Sequence, residues 1–241
     1  QVLLMEDRRG GLAAWAETVR DPRASGHIGC LAANCDPMTL GHRYLIEQSA
    51  ARCDTLYLQV VSEDRSTVPA AHRRRIVEQS VRDLSNVAVA ETGRYLISAA
   101  SFPDYFLKEK RTAAAVWCSL DIAVFCRLAE MLGISRRFVG TEPLCPVTAA
   151  YNRAMAAALP RAGVDLVEIP RMERDGVPIS ATAVRRLIAN GRWREIRSLV
   201  PQAAYDYFSE EAHRQLFLER YQELAETSKS THRRWEEGKW S

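Results

Sequence analysis

Short apolar runs alternate with helix-periodic stretches along most of this chain, and that alternation restricts its fold more than any other feature. The runs "HIGCLAAN", "TLYLQVV" at 55–61, "NVAVAE" at 86–91, "RRFVG" at 136–140 and "VDLVEI" at 164–169 read as strands. Between them, residues 40–52, a stretch from about Pro69 to Leu84, 120–132 and 148–159 carry apolar residues at helical spacing. "AAAVWCS" at 113–119 reads as one more buried strand, and "SFPDYFLKEK" as a short helix after Pro103. Gly133 is placed to stop the helix before it. Strands joined through helices predict an α/β fold with a doubly wound, Rossmann-like parallel sheet covered on both faces. Ligands of such sheets sit beyond the carboxyl ends of the strands, where the strand order reverses.

The pattern divides the chain into an arm or linker at 1–25, an alternating α/β domain at 26–205, and a helix with a tail at 206–241. The arm holds a short helix carrying Leu12, Trp15 and Val19. In the last segment Leu216, Phe217, Arg220, Tyr221 and Leu224 share one side of a helix, which predicts packing on its own domain by default, or on another subunit. A net charge of +3 is too small for a nucleic-acid binder and fits a site for anionic phosphates. No apolar run approaches the roughly 18 residues of a membrane span, so no membrane partner is expected. The opening "QVLLMEDRRGGL" lacks the pattern of a signal peptide. Six scattered cysteines without a C-x-x-C pair predict a reduced, cytoplasmic protein with no protein-held metal.

Three segments carry the chemistry. In "PMTLGH", Pro37 shapes a turn after the first strand and Gly41 admits a ligand close to the backbone, while Thr39 and His42 supply donors. In "ISATAVR", Ser180 and Thr182 surround a second helix start and Arg185 lies one turn on. Helix N-termini hold anions through unpaired N–H groups and the helix dipole, and a guanidinium grips phosphate oxygens in pairs. "FVGTEP" ends a strand on the same edge. Either cradle alone is commonplace; the two together on one alternating domain are not.

In that order the cradles resemble the nucleotidyltransferase superfamily with His/Thr-x-Gly-His and Ile-Ser-Ser/Ala-Thr/Ser-x-x-Arg motifs. "NCDPMTLGHRYLIEQ", "YLISAASFPDYFLKE", "FVGTEPLCPVTAAYN" and "VPISATAVRRLI" narrow the resemblance to the catalytic domain of citrate lyase ligase, over about residues 26–207. The resemblance implies an enzyme that uses ATP with Mg²⁺ to activate a small carboxylic acid, acetate, as an acyl-adenylate. The acyl group then passes to the thiol of a dephospho-CoA-type prosthetic group on an acyl-carrier subunit, releasing AMP and diphosphate. It assigns catalysis to His42, Thr39 and Arg185, and nucleotide binding to these with Asn34, Pro37, Gly41, Thr141, Glu142, Ser180 and Thr182. It assigns the acid or acyl substrate to Arg73, Tyr151 and Asn152. An acetyltransferase-like domain precedes this region in the family. Arg65 stands near where some relatives have a lysine after the second strand.

Two other readings use the same cradles. One is a nucleotidyltransferase taking ATP or CTP to a phosphate- or phosphonate-bearing small molecule. The other is a nucleotide-binding subunit without catalysis. Plainer roles stand beside several assignments. Arg73 lies in an arginine run that reads as a helix face, and Glu142 as a cap before Pro143. Cys145 has no His partner in its motif, which argues against a thiol nucleophile. Phe102, Tyr105 and Phe106 read as core or pocket wall.

Overall fold

The computed structural model describes residues 10–98, 114–143 and 145–236, with the side chains of 114–117 and 228–236 excepted. The expected helix after Pro103 and the aromatic cluster Phe102, Tyr105 and Phe106 lie outside them. Five parallel strands form one sheet: β1 Ile28–Ala33, β2 Thr55–Val60, β3 Val87–Glu91, β4 Ile134–Gly140 and β5 Asp165–Ile169. Their order is β3-β2-β1-β4-β5. The chain therefore moves outward from β1 to β3, crosses back, and continues from β4 on the other side. The reversal falls between β1 and β4, which makes their carboxyl ends the place for a ligand.

Successive side chains of a strand face opposite ways, and here both faces are buried. Leu31, Leu56, Leu58 and Phe138 enter one core beneath the helices α2 Leu40–Ala50 and α3 Ala70–Val81. Cys30 and Tyr57 enter the other core, beneath α4 Ala114–Leu132 and α5 Pro146–Ala158. The arm contributes α1 Leu12–Val19, whose Leu12 and Ala16 are buried in this second core.

Within the run expected as a strand at 113–119, the described residues 114–119 are not a strand. Residues 114–119 form the first turns of α4, continuous with the helix expected at 120–132. Cys118, Ile122, Phe125, Ala129 and Leu132 are buried at helical spacing, and no Gly or Pro interrupts the run to break it. Short apolar runs of this length are not distinguished as strand or helix by periodicity alone. Gly133 does end the helix, with φ of 69°.

After β5 comes a two-residue hairpin, β6 Glu173–Arg174 and β7 Val177–Pro178, turning on Asp175 and Gly176, both with positive φ. Then follow α6 Ala181–Ala189, a 3₁₀ turn Trp193–Ser198, α7 Gln202–Ser209 and α8 Glu211–Glu236. Phe208 and Phe217 are fully buried in the first core, each worth roughly 1.5–3 kcal/mol of transfer free energy. The side chain of Arg220 on α8 donates to Ser66 O at 2.9 Å and to Asp64 O at 2.8 Å. The last helices thus pack on the loop that follows β2. Among the described residues no helix is long and apolar enough to cross a membrane.

Candidate functional site

A cleft of about 220 Å³ opens at the carboxyl ends of β1, β4 and β5. Asn34, Thr39, Gly41, His42, Glu142, Arg171 and Ser180 are among its lining residues. A larger, shallower hollow of about 670 Å³ lies against Arg52, Arg136 and Asp165. It runs along the edge strand β5 and beside Arg136 near the start of β4, away from the reversal of strand order where ligands of such sheets sit.

The first cradle is an interlocked cap. Thr39 is the N-cap of α2, and its Oγ1 accepts from the His42 N–H at 3.3 Å. In return the Thr39 N–H donates to Nδ1 of His42 at 3.1 Å. This is a capping box with histidine in the place usually taken by Glu or Gln. Because Nδ1 accepts, the proton of the neutral ring sits on Nε2. Nε2–H has no partner among the described residues and is the donor His42 offers to the cleft. Burial, with the charges of Arg171 and Arg185 adding to it, lowers the His42 pKa to about 4. The ring is neutral at physiological pH. Thr39 itself is buried, and its oxygen is committed to the cap. Gly41 has a packing reason as well as the expected one: a Cβ there would stand 3.0 Å from Ile179 O.

The second cradle is built the same way. Ser180 caps α6, accepting from the Ala183 N–H at 3.2 Å. Arg185 joins the two cradles. It donates to Thr182 Oγ1 at 3.0 Å and to the carbonyl of Asp36, and approaches Asp36 Oδ2 at 3.6 Å. The Asp36 carboxylate accepts from Thr67 N and Oγ1 and from Val68 N. Asp36 precedes Pro37 through a cis peptide bond. The Pro37 turn, the loop after β2 and the start of α6 are thereby held as one unit.

Arg171 was not singled out from the sequence, yet it lines the cleft. Its N–H and Nε donate to Thr141 Oγ1 and O at 3.2 and 2.8 Å, and Nη2 pairs with Glu142. Its signal was positional: it stands two residues beyond the last strand, on the ligand edge of the sheet. Glu142 also accepts from the Cys145 N–H at 3.0 Å, the capping role read as its plainer alternative. Cys145 is the N-cap residue of α5.

Three substrate assignments meet a different geometry. Arg73 is wholly buried, and its guanidinium donates to the carbonyls of Val68, Asn34, Val61 and Glu63 and to Asn34 Oδ1. It ties together the loops after β1 and β2 and does not face the cleft. Tyr151 is buried between α4 and α5, where its hydroxyl donates to Asp121. Burial and that carboxylate raise its pKa well above the ordinary phenol value. Asn152 Nδ2 donates to Gly140 O at 3.1 Å, fixing α5 to the end of β4. Asn34 lines the cleft, but its side chain is shared with Arg73 and Ser66. Arg65 is exposed, with Glu63 3.6 Å away.

The family model described as citrate lyase ligase C-terminal domain matches residues 28–208. Citrate (pro-3S)-lyase ligase of Klebsiella pneumoniae is 39% identical over 213 residues, covering 86% of this chain and 62% of that protein. The Escherichia coli (strain K12) ligase is also 39% identical over 213 residues, covering 86% of this chain and 60% of that protein. The chain therefore spans about three-fifths of the length of these curated relatives. Among solved structures, one described as a nicotinate-nucleotide adenylyltransferase from Vibrio parahaemolyticus superposes with a TM-score of 0.53 at 15% identity. It covers 81% of this chain and 97% of that one. A bifunctional NMN adenylyltransferase/ADP ribose pyrophosphatase from Francisella tularensis gives 0.50 at 13% identity, covering 90% and 58%. These two likenesses concern the fold.

Proposed function

Because the chain belongs to the citrate lyase ligase C-terminal domain family, we propose that it carries the ATP-dependent activation of a small carboxylic acid, acetate, and its transfer to a carrier thiol. The observation that carries this reading is the placement of neutral His42. Its Nε2–H stands at a cleft lined by the first turns of α2 and α6 and by Arg171. Such a site suits a phosphoryl centre that gains negative charge while its leaving group departs.

In the first step a carboxylate oxygen of the acid attacks the α-phosphorus of ATP. The P–O bond to diphosphate breaks, giving acyl-AMP. His42 donates its Nε2–H hydrogen bond to the phosphate oxygens without losing the proton. The N–H groups of Gly41 on α2 and of Ala181 and Thr182 on α6, with the guanidiniums of Arg171 and Arg185, hold the remaining charge. In the second step a thiolate attacks the acyl carbon, and the C–O bond to AMP breaks. The acceptor in this reading is a dephospho-CoA-type thiol on an acyl-carrier subunit. No protein nucleophile is required.

Among the described residues no group of three or more His, Cys, Asp or Glu side chains could hold a metal ion. The cleft carboxylates of Asp36 and Glu142 are engaged by protein donors. Mg²⁺ in this reading arrives on the triphosphate, held by phosphate oxygens and water.

The test is exchange of labelled diphosphate into ATP in the presence of acetate, with CTP and a panel of phosphates and phosphonates in parallel. Exchange that needs ATP and acetate supports the reading. Turnover that needs CTP or a phosphonate moves the protein to nucleotidyl transfer. Nucleotide binding without any exchange leaves a non-catalytic binding subunit.

A further inference from the structure

Acid activation uses only small molecules, whereas thiol transfer needs a protein to approach the cleft. One face beside the cleft has properties that the first step does not use. Between residues 171 and 198 the chain places seven arginines and no lysine against Glu173, Asp175 and Glu195, a net +4. The whole chain carries +3. This segment alone therefore carries more net positive charge than the whole chain does.

Arg174, Arg186, Arg194 and Arg197 are exposed there. None of them has an ion-pair partner among the described residues, unlike Arg192, which pairs with Glu195 at 2.5 Å. Arg174 donates to Ser198 O at 2.6 Å, fastening the β6–β7 hairpin to the Trp193–Ser198 turn. Arg194 lies over the Trp193 ring at 5.6 Å, and Arg197 over Tyr205 at 4.7 Å. Stacking occupies the flat face of a guanidinium and leaves its N–H edge for carboxylates; Arg197 also donates one N–H to Gln202 and keeps the others. At the hairpin tip Val177 is 65% exposed, and it is the one large apolar side chain so exposed among the described residues.

Both ends of this face abut the cleft. Ile179 and Ser180, which line it, directly follow β7. On the other side Leu199 O accepts from the N–H of Leu40, next to Thr39, at 2.8 Å. A partner bound across the hairpin and the turn would therefore stand at the cleft mouth.

We infer that the β6–β7 hairpin and the Trp193–Ser198 turn form the docking face for an acidic carrier protein that presents its thiol to the cleft. The inference rests on the acyl-transfer reading above. A mixed face of cations, acids and one apolar tip suits a folded acidic surface, where charge steers encounter and an apolar contact seats it. A phosphate backbone would ask for cations without interleaved acids.

The experiment compares the full chain with R174E/R186E/R194E/R197E, using as probe the fluorescently labelled, thiol-bearing acyl-carrier subunit of citrate lyase. Anisotropy gives carrier affinity at low and high salt; acetate-dependent ATP–diphosphate exchange gives the first step. The expected result is at least about a tenfold loss of carrier affinity, with exchange changed less than about twofold. Wild-type affinity should also fall with salt. If the reversal does not fold by circular dichroism, R174Q/R194Q/R197Q answers the same question with a smaller loss. Unchanged carrier affinity overturns the inference. So does tighter binding of an RNA oligomer than of the carrier. Wild-type chain that binds the carrier at this face yet shows no exchange refutes the activation reading and leaves the docking face standing.

Discussion

The main-chain N–H of Thr39 donates to His42 Nδ1, while the main-chain N–H of His42 donates to Thr39 Oγ1. Each residue therefore fixes the other, and the helix start and the orientation of the imidazole are one structure. His42→Ala should reduce acetate-dependent exchange by about 10²–10³-fold, the usual loss of a preorganised donor at a developing charge. ATP affinity should fall far less. Thr39→Ala should cost about 1 kcal/mol of stability through the lost cap and lower turnover by releasing the ring, whereas Thr39→Ser should retain both. Turnover of Thr39→Ala equal to wild type, measured beside its denaturation midpoint, would separate the cap from the chemistry.

The pH behaviour follows from the same ring. In the unfolded chain His42 titrates near 6.5, and in the folded protein near 4. Between those values the unfolded state binds the extra proton, so stability rises with pH across the window. The contribution is fully present above about pH 6.5 and is lost as the pH falls towards 4. Its size is at most about 3.5 kcal/mol, from the shift at roughly 1.4 kcal/mol per unit. NMR of the ring should show no titration near 6.5, and His42→Asn should flatten the acid side of the stability profile. A His42 titrating near 6.5 in the native protein would contradict the neutral-donor role.

Arg73 gives a prediction of the opposite kind. Its removal leaves buried carbonyls of four residues without their donor. Arg73→Ala should destabilise the fold by about 3–5 kcal/mol, the range for breaking a buried charged network. Arg73→Lys should recover little, since one ammonium cannot span the same carbonyls. Urea denaturation measures this directly. A stable Arg73→Ala protein with a raised KM for acetate would return the residue to substrate binding.

Features set by neighbours in the sequence were the most legible. Gly41, His42 and Ser180 sit where turn and cap patterns place them, because a capping box and an N-cap are completed within four residues. The alternating strands likewise announced a parallel sheet, and the site lies at its reversal. Contacts made across the fold were not legible in this way. Arg73 belongs to an arginine run that suggests a wet helix face; only the folded loops after β1 and β2 supply the carbonyls that bury it. Tyr151 and Asn152 share a helix with residues near the cleft, yet their partners, Asp121 and Gly140, come from elsewhere. Arg171 has no local motif at all. Its role comes from the strand it follows. The Asp175–Gly176 turn, by contrast, is a hairpin signal complete within the local sequence.

The two guanidiniums assigned to phosphate are already engaged, Arg171 by Glu142 and Arg185 by Asp36. In the proposed reaction an incoming triphosphate would compete with these standing partners for the cations, and the partners would reclaim them when diphosphate departs. On that reading binding is weaker than the count of positive groups suggests, and release of the product faster. A site wired in this way is suited to repeated turnover and poorly suited to storing nucleotide.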